Sequence, residues 1–439
     1  MRQRQAEEIV KKRQKEHFIL QTLRGMRDIF GLEGEEWERV KTAISKVAKM
    51  FDFGYIETPI LENTNLYIRG GASDSISIVH KEMYTFETKG GDNVCLRPEL
   101  TPSIVRAYLE DGMQSWRHPI KLYTMGSIFR YERPQEGRYR ESHQADFEMI
   151  GVESPIAEAQ LIQVAFYILR ELGMGNVIVE INSLGCRDCQ REFQKQLKRY
   201  FSRVKPKLCQ ECIKRSKRNP LRVFDCKEEK CQEQLKDAPL IVDNLCKACN
   251  KHFKEVLEYL DSLKIPYKLN VRLVRGLDYY THTVFEFWRE GDEVRHMNAL
   301  GGGGRYDHLV EEFGGKFTPA VGLAFGMDRL VMELLKKKKR KNGHPLVFLA
   351  QLGDKSRHQA LILFEKLWEA GLPVKESFTK TSLRAQLRIA KQEKARWVLV
   401  MGYKEAIEEN VIVRDQVTGI QQIVPQKDIV GFLKKQKID

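Results

Sequence analysis

The sequence predicts an α+β protein in which a cysteine-rich module interrupts a large strand-and-helix unit and a smaller α/β domain follows. Three observations lead to this fold class. Strand patterns occur on both sides of the cysteine-rich stretch, eight of the nine cysteines fall between residues 182 and 251, and strand and helix patterns alternate after residue 345. We therefore divide the chain into a core at 19–183 and 254–335, an insertion at 184–253, a linker at 336–344 and an α/β domain at 345–439.

Length and charge limit the classes of protein to which this chain can belong. At 439 residues it is long enough for two or three domains, each with its own core. The 74 lysines and arginines exceed the 60 acidic residues and give a net charge of +14, which favours a polyanionic partner. Residues 1–18 are predicted to form a basic, solvated extension without the apolar stretch of a signal peptide. Since no segment has the roughly 18 apolar residues of a membrane span, we expect a cytoplasmic protein without membrane contact.

The C-terminal part of the sequence alternates strand and helix patterns. A basic block at residues 336–341 precedes NGHP, residues 342–345, which breaks any helix. Beyond it, LVFLAQLG, WVLVMG and NVIVRD are strand patterns, and residues 357–370 and 383–394 have helical patterns. This order predicts a small α/β domain with a mostly parallel sheet.

Four short-spaced cysteine pairs dominate the predicted insertion. In a reducing compartment such pairs bind zinc more readily than they form disulfides, and two pairs make one tetrahedral site, so we predict two structural zinc ions. Consecutive and crossed pairings are equally compatible with the spacing, and a set of free thiols is the alternative to zinc. The predicted ligands are Cys186, Cys189, Cys209, Cys212, Cys226, Cys231, Cys246 and Cys249.

A carboxylate and a hydroxyl follow a predicted hairpin in the N-terminal half. The stretch KEMYTFETKGGDNV has a hairpin pattern with Gly90-Gly91 at the turn, and LRPELTPSIVRAY follows it. Glu99 and Thr101 point in the same direction if this segment is extended, and together they can hold an ammonium group. The alternative is a helix start capped by the same two residues, and both interpretations can hold at once.

Arginines crowd the segment IFRYERPQEGRYRESHQADFEMI, residues 128–150. Both of its ends alternate, and Pro134 and Gly137 interrupt the middle, which predicts two antiparallel strands joined by a charged loop. Arginines at this density repel one another unless an anion binds them, which indicates triphosphate or an RNA end as the ligand. A solvated hairpin tip is the alternative.

Three further segments lie beyond the insertion. RGLDYYTHTVFE, residues 275–286, includes a strand pattern and places Arg275 and Tyr280 where they suit an anionic ligand. The glycines of GGGGRY, residues 301–306, permit close approach of the backbone to a ligand. PAVGLAFGMDRL predicts a strand and then a helix that carries Arg329.

In order and spacing these segments resemble the histidyl-tRNA synthetases, a family of class II aminoacyl-tRNA synthetases. The resemblance implies the class II fold, an antiparallel sheet with flanking helices, and an anticodon-binding domain at 345–439. Residues 53–59, FGYIETP, resemble the first class II motif, whose proline lies at the dimer interface, so a homodimer is implied. The dense cysteine pairs are not general in the family, and zinc is predicted from spacing alone.

The resemblance also implies roles for individual residues. Arg130 and Arg275 would be catalytic and, with magnesium, would neutralise charge on the α-phosphate. Ser142 stands where the family usually has an aromatic residue that stacks on adenine, which lowers the expected affinity for ATP. L-histidine would be bound by Glu99, Thr101, Gln144, Glu148, Arg275 and Tyr280, and ATP by Arg130, Glu132, Arg138 and Arg329.

The implied activity is that of a histidine–tRNA ligase, which attaches L-histidine to tRNA(His) through a histidyl-adenylate with ATP as the second substrate. One alternative is a catalytically silent regulatory subunit of histidine biosynthesis, but the intact RGLDYY and the C-terminal domain favour the ligase. The other alternative is a zinc-ribbon protein that binds nucleic acid. It explains the cysteines and the charge but leaves four polar residues of the other motifs as coincidences, namely Glu99, Arg130, Tyr280 and Arg329.

Overall fold

The computed structural model describes residues 20–68, 82–135, 137–290, 299–337 and 347–436. The chain divides into two compact units, Met1–Lys337 and Lys338–Asp439, which are considered separately. The division falls within the predicted linker at 336–344. The predicted extension at 1–18 lies outside the described residues.

An eight-stranded sheet forms the centre of the first unit, in the order β1-β5-β6-β11-β10-β9-β7-β8. Its inner pairs are antiparallel, whereas the outermost pairs, β1 with β5 and β7 with β8, are parallel. The predicted antiparallel sheet is therefore confirmed, with one parallel pair at each edge. The strands are β1 Gly54–Tyr55, β5 Ile120–Phe129, β6 Glu141–Ile150, β7 Val177–Ser183, β8 Tyr267–Leu269, β9 Thr281–Arg289, β10 Gly301–Arg305 and β11 Ala320–Gly326.

Between β1 and β5 the chain forms a separate three-stranded sheet, in the order β2-β4-β3. It consists of β2 Leu61–Asn63, β3 Tyr84–Glu87 and β4 Asn93–Leu96. The turn between β3 and β4 contains Gly91 at φ +89°, a conformation that glycine adopts without strain. The hairpin predicted around Gly90-Gly91 is confirmed.

Helices cover one face of the large sheet and bury its apolar side chains. The largest hydrophobic core joins Trp37 and Ile44 of one helix to Leu161 of another and to Phe147 and Phe325 of the sheet. Along β6, alternate side chains enter this core while those between them point to the opposite face, as the two-residue period of a strand requires. The helices of the unit outside the insertion are α1 Gly31–Met50, α2 Thr101–Glu110, α3 Ile156–Glu171, α8 Leu309–Glu312 and α9 Met327–Lys337.

The insertion is helical and has a small core of its own, in which cysteines contact Phe193, Leu197 and Phe201. Its helices are α4 Arg187–Val204, α5 Gln210–Arg218, α6 Glu229–Leu235 and α7 Lys247–Ser262. Helix α7 continues without a break through residue 253, where the sequence places the end of the insertion. The domain bounds stay a prediction.

The second unit is a five-stranded sheet in the order β13-β12-β14-β15-β16. Only β12 with β13 and β12 with β14 are parallel, and the other two pairs are antiparallel. The expectation of a mostly parallel sheet is wrong, because NVIVRD and QQIVP form a hairpin around a turn at Gly419. The elements are β12 Val347–Gln351, α10 Asp354–Glu369, β13 Val374–Glu376, α11 Leu383–Gln392, β14 Trp397–Met401, α12 Tyr403–Ile407, β15 Asn410–Asp415, β16 Gln421–Pro425 and α13 Ile429–Lys435.

Candidate active site

A cavity of about 390 Å³ lies in the first unit, and nine of the ten predicted catalytic and substrate-binding residues line it. The tenth, Glu148, is fully buried next to the cavity wall, where it accepts a hydrogen bond from Thr101. The structure thus brings together residues that are more than two hundred positions apart in the sequence. The nine lining residues are Glu99, Thr101, Arg130, Glu132, Arg138, Gln144, Arg275, Tyr280 and Arg329.

Glycines in the central strands allow the functional side chains to lie close to the sheet. A Cβ atom on Gly302 would lie 2.8 Å from Arg275 Nη1, and one on Gly304 would lie 2.9 Å from Tyr280 Cδ1. A Cβ atom on Gly322, in the neighbouring strand β11, would overlap the Glu148 carboxylate. The glycines of the GGGG segment thus allow close contact with side chains of the protein itself, whereas the sequence predicted close contact with a ligand.

One end of the cavity contains hydroxyl and carboxylate groups. Thr101 is the first residue of α2, so the helix start predicted for this segment is confirmed. The expected capping by Glu99 and Thr101 is wrong, because Leu100 is the N-cap and no side chain of the described residues caps the helix. The binding role of Thr101 stays a prediction. Thr101 Oγ1 donates to Glu148 Oε1 at 2.6 Å, and the hydroxyl of Tyr306 donates to the other Glu148 oxygen. Tyr279 donates to Glu99 Oε2 at 3.5 Å. This end can accept hydrogen bonds from a cationic or N–H-bearing ligand.

Two carboxyl groups on β6 have strongly altered acidity. Asp146 and Glu148 are fully buried, and loss of hydration raises the pKa of Glu148 to about 8 and that of Asp146 well above its usual range. Among the described residues, neither Gln144 Oε1 nor Asp146 Oδ1 has a hydrogen-bond partner. A ligand with N–H donors would satisfy both of these buried acceptors.

Arg275 also lines the cavity, beside Glu286. Arg275 Nη1 donates to Glu286 Oε1, and the coulombic attraction of this carboxylate helps to keep the pKa of the guanidinium above its usual value despite burial. Its Nε has no partner within the described part of the chain. Arg130 is oriented by a 2.8 Å hydrogen bond from its Nε to the Pro98 carbonyl.

Positive charge is concentrated at the remaining end of the cavity. Arg138 and Arg329 line it, and burial together with repulsion from Arg138 lowers the pKa of Arg329. Arg329 Nη1 donates to the Ala299 carbonyl at 2.6 Å, while Arg138 Nη1 lies 3.7 Å from Glu132 Oε2. Such a group of arginines favours a polyanionic ligand.

Sequence reasoning missed several residues of this site. Glu286 lies at the end of the quoted segment, and its pairing with Arg275 follows from the register that places it opposite Gly302. The roles of Tyr306 and Arg305 were also missed. Tyr306 holds Glu148, and Arg305 is fully buried against Glu158, so neither is a free ligand-binding group. Their partners lie about 150 positions away, and no local pattern marks such pairs.

The eight predicted metal ligands form two separate clusters, whose ligand atoms lie within 4.8 Å of one another in each case. Consecutive pairing is excluded, because the first cysteine pair joins the last pair and the two middle pairs join each other. We call Cys186, Cys189, Cys246 and Cys249 the proximal cluster, and Cys209, Cys212, Cys226 and Cys231 the distal cluster.

Sulfur distances in both clusters match a tetrahedral metal site. A Zn–S bond of about 2.3 Å implies sulfur atoms about 3.8 Å apart. The Sγ atoms of Cys189 and Cys249 are 3.9 Å apart, and so are those of Cys209 and Cys226. Backbone N–H groups also point at the sulfurs, with Cys246 N donating to Cys189 Sγ at 3.2 Å. All eight are free thiols, and the donor set suits a thiophilic dication.

Known proteins resemble this chain over nearly its whole length. The sequence model of the histidyl-tRNA synthetase family matches residues 25–330, and that of the anticodon binding domain matches residues 346–436. The histidine–tRNA ligase of Desulforudis audaxviator strain MP104C is 41% identical over 414 residues, which cover 94% of this chain and 98% of the relative. That of Desulforamulus reducens is 39% identical over 416 residues, with coverage of 94% and 98%.

A solved structure agrees with these sequence comparisons. The chain is similar to apo histidyl-tRNA synthetase from S. aureus with a TM-score of 0.78 and 29% identity, over 95% of this chain and 100% of the other.

Proposed function

Because the chain belongs to the histidyl-tRNA synthetase family, we propose that it attaches L-histidine to tRNA(His) in an ATP-dependent reaction. In the first step the carboxylate of histidine attacks the α-phosphate of ATP, which gives histidyl-adenylate and pyrophosphate. In the second step the 3′-hydroxyl of the terminal adenosine takes the histidyl group, and AMP is released. The observation that carries the proposal is the single cavity that nine predicted residues line.

The hydroxyl and carboxylate end of the cavity would bind histidine. Glu99, Thr101 and Gln144 are acceptors placed to hold the α-ammonium group, which offers three donors. Tyr280 and Glu148 would read the two nitrogens of the imidazole. Since Glu148 lies behind Thr101, its contact with the ring requires Thr101 to share or release the hydrogen bond that joins them. A pocket of paired polar groups rejects side chains that leave these groups unpaired.

Arg130 and Arg275 would stabilise the charge that develops on the α-phosphate. Both line the cavity, and Arg130 is already oriented by the Pro98 carbonyl. Arg275 Nε is a buried donor without a partner among the described residues, and it would bind the substrate while Nη1 keeps its pairing with Glu286. Catalysis on this account is chiefly positioning and electrostatic stabilisation.

The cationic end of the cavity would hold the rest of ATP. Arg138 and Arg329 would bind the outer phosphates, and Glu132 would accept from the adenine amino group. Ser142, which stands where the family usually has an aromatic residue, also lines the cavity and would face the ligand. The lack of a stacking ring there predicts weaker binding of ATP.

Magnesium belongs to the chemistry of this family, and the residues present fit it. Glu82 and Glu132 both line the cavity, and their mutual repulsion, after burial, raises the pKa of Glu82. Carboxylate oxygens beside phosphates are donors that Mg²⁺ prefers, and the bound ion would neutralise phosphate charge. Glu82 would hold this ion, since Glu132 is assigned to the adenine amino group.

The remaining proposals concern zinc, partners and location. Each cysteine cluster would hold one structural zinc ion, as the sulfur spacing supports. Residues 346–436 would bind the anticodon of tRNA(His), and the protein would act as a homodimer in the cytoplasm, as expected for this family. Within the described residues, no helix is both long and apolar enough to cross a membrane.

Histidine-dependent exchange of pyrophosphate into ATP tests the proposal. We expect the full-length protein to catalyse this exchange with L-histidine and not with the other amino acids, because adenylate formation is reversible. A protein that binds histidine but catalyses no exchange would instead be a silent regulatory relative, which is the alternative function.

A further inference from the structure

A buried arginine of the insertion contacts the loop that carries Arg275 and Tyr280. We call residues 275–280 the recognition segment. Arg222 is 8% exposed, and its Nε and Nη2 both lie 3.2 Å from Asp278 Oδ1. Its Nη2 also donates to the Gly276 carbonyl, and Asn219 Nδ2 donates to Asp278 Oδ1 at 2.9 Å. The insertion therefore forms hydrogen bonds with the recognition segment on both sides of Leu277.

The recognition segment depends on such side-chain contacts because it has no regular structure. It consists of turns and bends between β8 and β9, and it makes no strand ladder. Five of its six residues nevertheless line the cavity, namely Arg275, Gly276, Leu277, Tyr279 and Tyr280. The positions of these side chains therefore depend on the hydrogen bonds that hold the loop in place.

The distal cluster fixes the stretch from which Arg222 projects. Arg222 lies in the short 3₁₀ helix Pro220–Val223, and the ligands Cys212 and Cys226 flank this stretch on its two sides. A metal ion bound to both would close residues 213–225 into a loop. In small modules with few buried residues, metal–thiolate bonds supply much of the folding free energy. Loss of the ion would therefore free the stretch and Arg222 with it.

We infer that the distal cluster binds one zinc ion, and that this ion positions the recognition segment for histidine binding through Arg222 and Asn219. Arg222 is a positioning residue, since it acts on Arg275 and Tyr280 through the loop and does not line the cavity. The inference rests on the proposed function, because it concerns the same histidine site. It adds a structural metal ion to the determinants of amino-acid binding.

Two variants of the full-length protein test the inference. Replacing two distal ligands, Cys226→Ser with Cys231→Ser, is expected to lower the zinc content from about two equivalents to about one. Arg222→Ala is expected to keep both ions. In each variant the KM for histidine in pyrophosphate exchange should rise about tenfold, the scale of one lost charge-assisted hydrogen bond, while the KM for ATP stays within about twofold. Amide hydrogen exchange of residues 275–280 should become faster in both.

Arg218→Ala is the matched control, because Arg218 is exposed on the same module four residues before Arg222. We expect it to change neither KM nor hydrogen exchange. An unchanged histidine KM and unchanged exchange of residues 275–280 in Arg222→Ala would overturn the inference, even if the cysteine variant failed to fold. Absence of histidine-dependent activity in the unaltered protein would contradict the proposed function instead, and hydrogen exchange with zinc present and removed would then still decide whether the ion holds the loop.

Discussion

At the scale of single residues, Arg275 has proposed roles in both histidine binding and catalysis. It lies in the cavity that Arg130 also lines, and it is paired with Glu286 on the adjacent strand. The RGLDYY segment alone indicated an arginine suited to an anionic ligand, and the resemblance to the family implied its catalytic role. The sequence could not predict Glu286 as the partner, because that pairing depends on how the recognition segment folds back on β9.

We predict that Arg275→Ala lowers the rate of histidine-dependent pyrophosphate exchange by about 10²- to 10³-fold, as loss of one preorganised donor does in other enzymes. The thermal unfolding temperature reports whether the fold is kept. Arg191→Ala is a suitable control, since Arg191 is exposed and forms a salt bridge with Asp188, which is also exposed. Exchange at the rate of the unaltered protein would remove Arg275 from the mechanism.

Glu148 predicts a dependence of stability on pH. Its pKa rises from 4.5 to about 8 in the folded protein, so the folded state binds the proton more tightly than the unfolded state. Its contribution to stability is fully present below about pH 4.5 and is lost as the pH rises towards about 8. Glu148→Gln cannot ionise. The unfolding temperature of the variant minus that of the unaltered protein should therefore increase steadily from about pH 4.5 to about pH 8. A difference that stays constant over this range would show that Glu148 does not titrate there.

At the scale of elements, a buried ion pair joins strand β10 to helix α3. Arg305 Nε donates to Glu158 Oε1 at 2.7 Å, and both side chains are almost fully buried. His252 of α7 lies 2.6 Å from the same carboxylate oxygen. The Arg305 guanidinium holds the pKa of Glu158 below its usual range despite burial. Three elements from both sides of the insertion thus meet at one carboxylate.

Removing one partner of this pair should be costly, because it leaves a buried charge without compensation. We predict that Arg305→Met lowers the free energy of unfolding by about 3–5 kcal/mol. Lys46→Ala breaks a 2.6 Å pair between two exposed side chains, Lys46 of α1 and Glu171 of α3, and should cost at most about 1 kcal/mol. Urea unfolding measures both. Equal losses in the two variants would contradict the structural role given to Arg305.

Local patterns predicted elements well and their partners poorly. Alternation and turn glycines were sufficient for the hairpin at Gly91 and for the antiparallel pair β5 and β6, since these contacts are close in sequence. The hairpin of β15 and β16 was missed because QQIVP is mostly exposed and short of apolar residues. The Arg305–Glu158 pair spans 147 positions, and nothing in the sequence near either residue indicates it.

At the scale of the whole molecule, the cavity assembles segments that are separated by the entire insertion. Resemblance to a known family supplied the roles of these segments, and the fold then brought nine of the ten residues together. Cysteine spacing predicted metal sites but left their pairing open, and the structure shows a nested arrangement in which the first pair joins the last and the two middle pairs join each other. That arrangement follows from the insertion's two ends meeting at β7 and α7, which is a property of the tertiary fold.

The central claim is that this chain attaches histidine to tRNA(His), and aminoacylation tests it most directly. The full-length protein is incubated with ATP, a tRNA(His) transcript and each of the amino acids in turn, with a transcript of another tRNA as the control. We predict that histidine alone is attached, that only tRNA(His) accepts it, and that omission of ATP abolishes the reaction. Failure of a folded, zinc-loaded protein to charge tRNA(His) with histidine would contradict the account.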